Sequence, residues 1–196
     1  MTGTEERDFD DNQTLTVALT STIYNFTIEL SDMDRNVYET LEVRAAMHPS
    51  ESPEFLVTRL LAYCCEYREG IEFSKGISTP DDPTVCVRDL TGRIQTWIDI
   101  GAPDAARIHR ASKAADRVVV YTHKDPKQLL GQWAGERIHK AESIETLAVD
   151  RALLDALVAR LERRMSFGLT VTERHLYVAI GDDVIEGALT VHRIEG

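Results

Sequence analysis

The sequence predicts a single domain of the α/β class, and three observations support this. Residues 14–30 alternate apolar with small polar side chains, which is typical of a strand with one buried face. Between Leu56 and Tyr67, apolar residues recur at helical spacing. Residues 117–121 (RVVVY) are almost continuously apolar, as in a strand buried on both faces. A chain of 196 residues is long enough to enclose one sizeable core.

The N-terminal part is predicted to be a long hairpin. Acidic residues 1–13 read as a disordered leader, and residues 14–196 contain no repeat or linker and should form one domain. A strand from 14 to 30 is followed by a turn cluster at 31–36 and by a partner strand at 37–46.

A helix and a series of alternating elements should follow the hairpin. Ser50 or Ser52 can cap the helix, Pro53 suits its first turn, and Gly70 ends it. The elements predicted after it are a strand at 71–76, a hairpin at 84–101, a helix at 105–116, a strand at 117–121, a helix at 126–141, a strand at 145–149, a helix at 150–164, and strands at 169–172, 176–180 and 184–191.

The charge balance weighs against a general nucleic-acid-binding protein. The formal net charge is −11, whereas non-specific binding depends on phosphate neutralisation by Lys and Arg. Basic residues are denser between Arg107 and Arg164, which we interpret as a solvated helix face rather than a nucleic-acid groove.

The same composition predicts a cytoplasmic protein without a membrane partner. No apolar run approaches the roughly 20 residues that span a bilayer, and the N-terminus is too acidic for a secretory signal. Cys64, Cys65 and Cys86 form no CxxC pair, so we expect reduced core cysteines.

The hairpin at 84–101 carries the residues of chemical interest. Asp89 ends its first strand and Asp99 lies in the second, with a turn at Thr91 and Gly92. Two carboxylates on paired strands can hold one hard cation between them. The alternative is a surface hairpin whose acids face water.

Other common sites have no matching pattern. The six histidines form neither HxH nor HxxxH, which disfavours a zinc site with histidine ligands. The glycines form no phosphate-binding loop, and no serine lies in a GxSxG motif.

The predicted order of helix, three strands, helix and strand matches the core of the PD-(D/E)xK nucleases. Six stretches carry a closer resemblance: ELSDMDRNVYET, AMHPSESPEF, RLLAY, EFSKGIST, DLTGRIQTWIDIGAPD and RVVVY. In these stretches the sequence resembles the YaeQ family of bacterial proteins, a variant of that superfamily. The resemblance implies a compact α/β sandwich with a mixed β-sheet, packed helices and restriction-endonuclease-like topology, and it implies no particular substrate.

The superfamily motif carries over only in part. Asp89 matches its first acid and Asp99 its second, but Gly101 stands where the motif has lysine. The candidate acids on the first helix are Glu51 and Glu54, of which Glu54 is preferred.

The resemblance also implies a metal site. Asp89, Asp99 and Glu54 would hold Mg²⁺ or Mn²⁺. Lys75 would supply the missing cation near the attacking water, with Lys113 as another candidate.

Two functions are therefore expected from the sequence. One is a metal-dependent nuclease or phosphodiesterase that uses Asp89, Asp99, Glu54 and Lys75. The alternative is a non-catalytic module that retains the fold and binds nucleic acid or protein. The retained acids favour the first, and the missing lysine and the acidic charge favour the second.

Overall fold

The computed structural model describes residues 20–74 and 82–194, which form ten strands, four α-helices and a 3-10 turn at Ala141–Ser143. The predicted leader, the start of the first predicted strand and Lys75 lie outside these ranges. The strands are β1 (Thr22–Asp32), β2 (Val37–Met47), β3 (Ile71–Phe73), β4 (Val85–Arg88), β5 (Ile94–Ile100), β6 (Arg117–Thr122), β7 (Glu145–Val149), β8 (Arg164–Thr172), β9 (His175–Ile180) and β10 (Asp183–His192). The helices are α1 (Pro53–Cys65), α2 (Ala105–Ala114), α3 (Pro126–Trp133) and α4 (Arg151–Ala159).

All ten strands form one mixed sheet, in the order β2-β1-β8-β9-β10-β7-β6-β5-β4-β3. The pairs β1–β2, β3–β4, β4–β5, β7–β10, β8–β9 and β9–β10 are antiparallel, whereas β1 with β8, β5 with β6, and β6 with β7 are parallel. Helix α1 contacts β2 at one edge of the sheet and β3 at the other, so the sheet curves around this helix. The predicted α/β class and mixed sheet are confirmed.

Helix α1 is the centre of the main core. Its buried side chains lie on all sides of the helix, and they pack against the inner faces of strands from both halves of the sheet. A helix that is apolar all round is expected only where protein surrounds it. Helix α4 packs beside α1 and completes this core.

Helices α2 and α3 cover the outer face of β5 and β6. Trp97 and Val120 point outward from these strands and meet Ile108 of α2 and Leu129 and Trp133 of α3. Strand β6 is therefore buried on both faces, as its apolar sequence predicts.

Three C-terminal boundaries differ from the sequence prediction. Helix α3 ends at Trp133 instead of 141, and Gly135 then takes a φ of +81° that turns the chain away. Helix α4 ends at Ala159 instead of 164. Strand β8 begins at Arg164, five residues before the predicted start at 169. Parallel pairing of β8 with β1 decides this start, and such long-range pairing overrides local propensity.

The three cysteines are buried and unpaired, as expected. Burial raises the pKa of Cys64 to about 12 and that of Cys86 to about 11, so these thiols are neutral core groups near pH 7. Within the described ranges, no helix has the length and apolar character needed to cross a membrane.

Arginines tie both ends of α1 to the sheet. At its C-terminus, Arg35 donates to the carbonyl oxygens of Cys64 and Tyr67 while its Nε bonds Asp32 at 2.7 Å. The Cys64 carbonyl also accepts from the Tyr67 amide at 3.2 Å, and Tyr67 lies just beyond the helix, so the guanidinium adds a second donor at the C-terminal end of α1.

At the N-terminal end, Arg59 is buried and joins three parts of the fold. Its Nη1 lies 3.1 Å from Glu51 Oε1, and its Nη2 donates to the Ala46 carbonyl of β2 at 2.6 Å. The guanidinium also lies over the rings of Phe55 and Phe73, the latter in β3.

We expect Arg59→Met to lower the free energy of unfolding by about 3 kcal/mol, because it strands the buried Glu51 carboxylate. A Glu51→Gln, Arg59→Met double variant should recover part of this loss. Urea unfolding measures both, with Arg68→Gln as the exposed control expected within about 0.5 kcal/mol of wild type. An Arg59→Met variant as stable as that control would contradict the anchoring role.

Candidate functional site

A cleft of about 790 Å³ opens at the carboxyl ends of β5 and β6, beside the N-terminus of α1. We call it the α1 cleft. In mixed sheets, the ends of parallel strands are a common place for ligands because loops diverge there. Its charged and histidine side chains are Arg44, His48, Glu51, Arg59, Asp82, Asp99, Arg107, His123 and Lys124.

Asp99 lies at the base of the α1 cleft and is only 1% exposed. Arg107 of α2 holds both carboxylate oxygens, since its Nε donates to Oδ2 and its Nη2 to Oδ1, each at 2.7 Å. The amide and hydroxyl of Thr84 also donate to Oδ1, at 3.4 and 3.3 Å. The carboxylate is thus fully hydrogen-bonded within the protein.

Arg107 is the site residue that the motif comparison missed. It also donates to the Asp82 carbonyl at 2.7 Å and lies over the ring of Trp97, so it links α2, β5 and the segment before β4. The side chain of Asp104 caps α2 by accepting from the Arg107 amide. This N-cap is a local sequence signal that predicts where α2 begins. It does not indicate which side chain Arg107 binds.

The structure does not bring Asp89 and Asp99 together, so its geometry gives no support to a cation held between them. The register pairs Val85 with Ile98, which places Asp99 opposite Thr84, whereas Asp89 lies in the turn at the other end of the hairpin. Asp89 is five residue steps from Thr84, which is about 16 Å in extended chain.

Asp89 instead organises the turn. Its Oδ1 accepts from the amide and hydroxyl of Thr91 and from the amide of Arg93. The hydrogen bond from the Thr91 hydroxyl contributes most to lowering the pKa of this exposed carboxyl. The alternative interpretation, a hairpin whose acids face water, fits Asp89 but not Asp99, which is buried.

Of the two candidate helix acids, Glu51 lines the α1 cleft and Glu54 does not. The Glu51 side chain is 4% exposed and is bonded to Arg59 and to the His48 amide. Glu54 lies in the first turn of α1, where hydrogen bonding from Ser52 lowers its pKa. The preference for Glu54 is therefore not supported by its position.

Gly101 explains why no lysine follows Asp99 at the motif spacing. Its φ is +85°, a region that costs a residue with a Cβ roughly 1–2 kcal/mol. A Cβ there would also lie 3.6 Å from the His123 ring and 3.7 Å from the Phe55 ring, which are ordinary contacts. The backbone conformation, rather than space, thus favours glycine.

The described residues do not fit a magnesium site built from the predicted ligands. Asp89 is remote, and Asp99 and Glu51 are each bonded to an arginine. Across residues 20–74 and 82–194, no three His, Cys, Asp or Glu side chains lie close enough to hold a metal ion. Lys113 lines a different pocket, and Lys75 lies outside the described residues.

His123 follows β6 and closes one side of the α1 cleft. Its ring meets Phe55 edge-on with centroids 6.3 Å apart, and its buried Nδ1 has no hydrogen-bond partner among the described residues. Burial, aided by the charge of Lys124, lowers the pKa of His123 to about 4, so the ring is neutral near pH 7.

His123 should make stability fall in mild acid. Because its pKa is about 4 in the folded state and near 6.5 when unfolded, the unfolded chain gains protons first as the pH drops through this window. We expect the loss of unfolding free energy between pH 7 and 4.5 to be smaller in His123→Gln than in wild type, by about 1 kcal/mol for this partly solvated ring. Urea titrations at both pH values test this, with His139→Gln as the exposed control. Equal losses in wild type and His123→Gln would assign the acid sensitivity to groups other than His123.

Comparison with known proteins confirms the family resemblance. A family model described as YaeQ protein matches residues 17–189. The uncharacterized YaeQ proteins of Escherichia coli (strain K12) and Salmonella typhi are 29% and 28% identical to this chain over 177 residues, covering 89% of the chain and 97% of each relative.

Solved structures with the same fold carry the same family name. The crystal structure of YaeQ protein from Pseudomonas syringae has a TM-score of 0.78 and 28% identity, covering 90% of this chain and 97% of that chain. The YaeQ protein from Xanthomonas axonopodis pv. citri has a TM-score of 0.75 and 26% identity, covering 90% and 100%. Since the family model matches most of the chain and the fold is shared, this chain belongs to the YaeQ family.

Proposed function

We propose that this chain is a non-catalytic nucleic-acid-binding module whose α1 cleft receives the phosphate backbone. The observation that carries the proposal is the bidentate pairing of Asp99 with Arg107. A metal ion at Asp99 would have to displace a guanidinium at 2.7 Å from both oxygens, and it would leave that guanidinium without its partner. Asp99 is therefore a structural anchor that holds Arg107 at the cleft.

The described lining of the α1 cleft has four cationic side chains and three carboxylates, Asp82 among them, and this excess of one positive charge suits an anionic ligand. Arg59 and Arg107 neutralise the buried Glu51 and Asp99. Arg44 and Lys124 are exposed on the cleft and form no ion pair with a carboxylate that the structure describes. Cations in a concave surface raise the local concentration of anions even when the whole protein is acidic.

The cleft also offers groups that suit a nucleotide strand. The rings of Phe55, Phe73 and His123 line it beside these cations. The faces of Phe55 and Phe73 are already partly covered, because the Arg59 guanidinium lies over both rings and Tyr63 stacks on Phe73. The proposal of a single strand therefore depends mainly on the basic side chains, which follow the phosphates of such a strand.

Binding should be measurable by fluorescence anisotropy with a labelled 20-nucleotide single strand, of DNA or RNA, in chelator and low salt. An Arg44→Gln, Lys124→Gln variant should bind about tenfold more weakly, with a log–log salt slope reduced by about 1.4 for two lost contacts. The charge-matched control Arg160→Gln, Arg174→Gln alters exposed arginines outside the cleft and should bind like wild type. Absence of binding by wild type would contradict the proposal.

Metal-dependent nuclease activity is the second candidate, and one observation favours it. Glu51, Asp82 and Asp99 all line the α1 cleft, and Asp82 comes from a segment that the sequence analysis did not consider for the site. Metal-dependent hydrolysis requires acids that converge on one ion, and among the described residues these three are not close enough to do so. The arginine partners of Glu51 and Asp99 weigh against it.

We expect no cleavage of single- or double-stranded DNA or RNA by wild type in Mg²⁺ or Mn²⁺, because Arg107 occupies both oxygens of Asp99. Gel assays with labelled substrates test this directly. Cleavage by wild type that disappears in Asp99→Asn would overturn the non-catalytic proposal. Cleavage that persists in Asp99→Asn would indicate a contaminating nuclease.

A protein partner has weaker support. The exposed large apolar side chains of the described residues come from the turns after β1 and β4 and from strands β2, β9 and β10. They are Met33, Tyr38, Leu90, Tyr177 and Val184.

A further inference from the structure

A second concave surface, distinct from the α1 cleft, lies between α2 and the segment that follows α3. We call it the α2 pocket. It has a volume of about 590 Å³. The residues that line it are His109, Lys113, Arg137, Ile138, His139 and Lys140.

The fold brings these residues together from two elements. His109 and Lys113 are four residues apart on α2 and so share one helix face. Opposite them, Ile138 packs against the core cluster under α2 and α3, which fixes the segment on which Arg137, His139 and Lys140 are carried.

The α2 pocket concentrates charge of one sign. None of its described lining residues is acidic, and Lys113, Arg137 and Lys140 form no ion pair with a carboxylate in the described ranges. Many arginines elsewhere in the fold are paired, as Arg35 and Arg117 are. Cations held close together without a counter-charge repel one another, so this arrangement favours an anionic ligand.

Helix α2 connects the two surfaces. Arg107, Arg110 and Lys113 are spaced three residues apart, so at about 100° per residue each lies about 60° around the helix from the previous one. Arg107 lies in the α1 cleft and Lys113 in the α2 pocket, about 9 Å further along the axis at 1.5 Å per residue. Exposed Arg110 lies between them.

We infer that the α2 pocket binds phosphate groups of the same nucleic-acid strand that the α1 cleft receives, with the strand crossing α2 along Arg110. The inference rests on the proposed function and adds a second phosphate-binding surface to it. Arg107 and Lys113 are about 9 Å apart along the axis of α2 and about 120° apart around it, a separation that a few nucleotides can cover when each advances by roughly 3.4 Å or more. One oligonucleotide of modest length can therefore reach both surfaces.

The test uses the full-length chain and a labelled 20-nucleotide single strand in anisotropy titrations from 50 to 200 mM salt. The probe variant is Lys113→Gln, Lys140→Gln, and both positions are exposed. We expect about tenfold weaker binding and a salt slope smaller by about 1.4, since two phosphate contacts are lost. The control Arg160→Gln, Arg174→Gln removes the same charge elsewhere and should retain both values.

The outcomes separate the two proposals. Wild-type binding that is weakened by the α2-pocket variant, but not by the control, supports the inference. Wild-type binding that neither the α2-pocket variant nor the control changes overturns phosphate binding by the α2 pocket. That result leaves the proposal for the α1 cleft unaffected. Equal weakening by both variants shows a general charge effect and also overturns it. No binding by wild type overturns the proposed function, and the inference falls with it.

Discussion

The enclosure of α1 by the curved sheet is the constraint on which the rest of the structure depends. An almost entirely apolar helix has to be surrounded, and its ends then become the places where polar groups meet. Arg59 illustrates this, because it bonds the Ala46 carbonyl in β2 and lies over Phe73 in β3, the two edge strands of the sheet. The α1 cleft lies where these edges approach the start of the helix.

Buried acids in this protein serve mainly as anchors for arginines. Each such pair joins elements that are distant in sequence or closes a helix end, and the acid in each is almost fully buried. The pairs are Asp32–Arg35, Glu51–Arg59, Glu66–Arg117 and Asp99–Arg107. Removing one partner from such a pair leaves a charge in a medium that solvates it poorly. An acid in a strand is thus weak evidence for catalysis until its partner is known.

Local signals predicted the elements well, and long-range pairing decided the site. The Ser52 cap, the apolar run of β6 and the turn at Gly92 each depend on a few neighbouring residues, and each is found. The partner of Asp99 depends on how α2 packs across β5, and no spacing in the sequence encodes that contact. The early end of α3 also depends on a contact that local sequence does not encode. After Trp133 the chain turns, and Ile138 packs against the core cluster under α2 and α3.

The contrast between net charge and local charge limits how this protein could recognise an anion. A net charge of −11 repels a polyanion at long range, yet charges beyond about 8 Å are largely screened at physiological ionic strength. Attraction by the α1 cleft and the α2 pocket therefore acts only near contact, and it gives little steering of the approach. A ligand that contacts only one of the two surfaces gains few favourable charge contacts to offset repulsion by the net negative charge. Selectivity would then come from a strand whose phosphates follow α2 from one surface to the other.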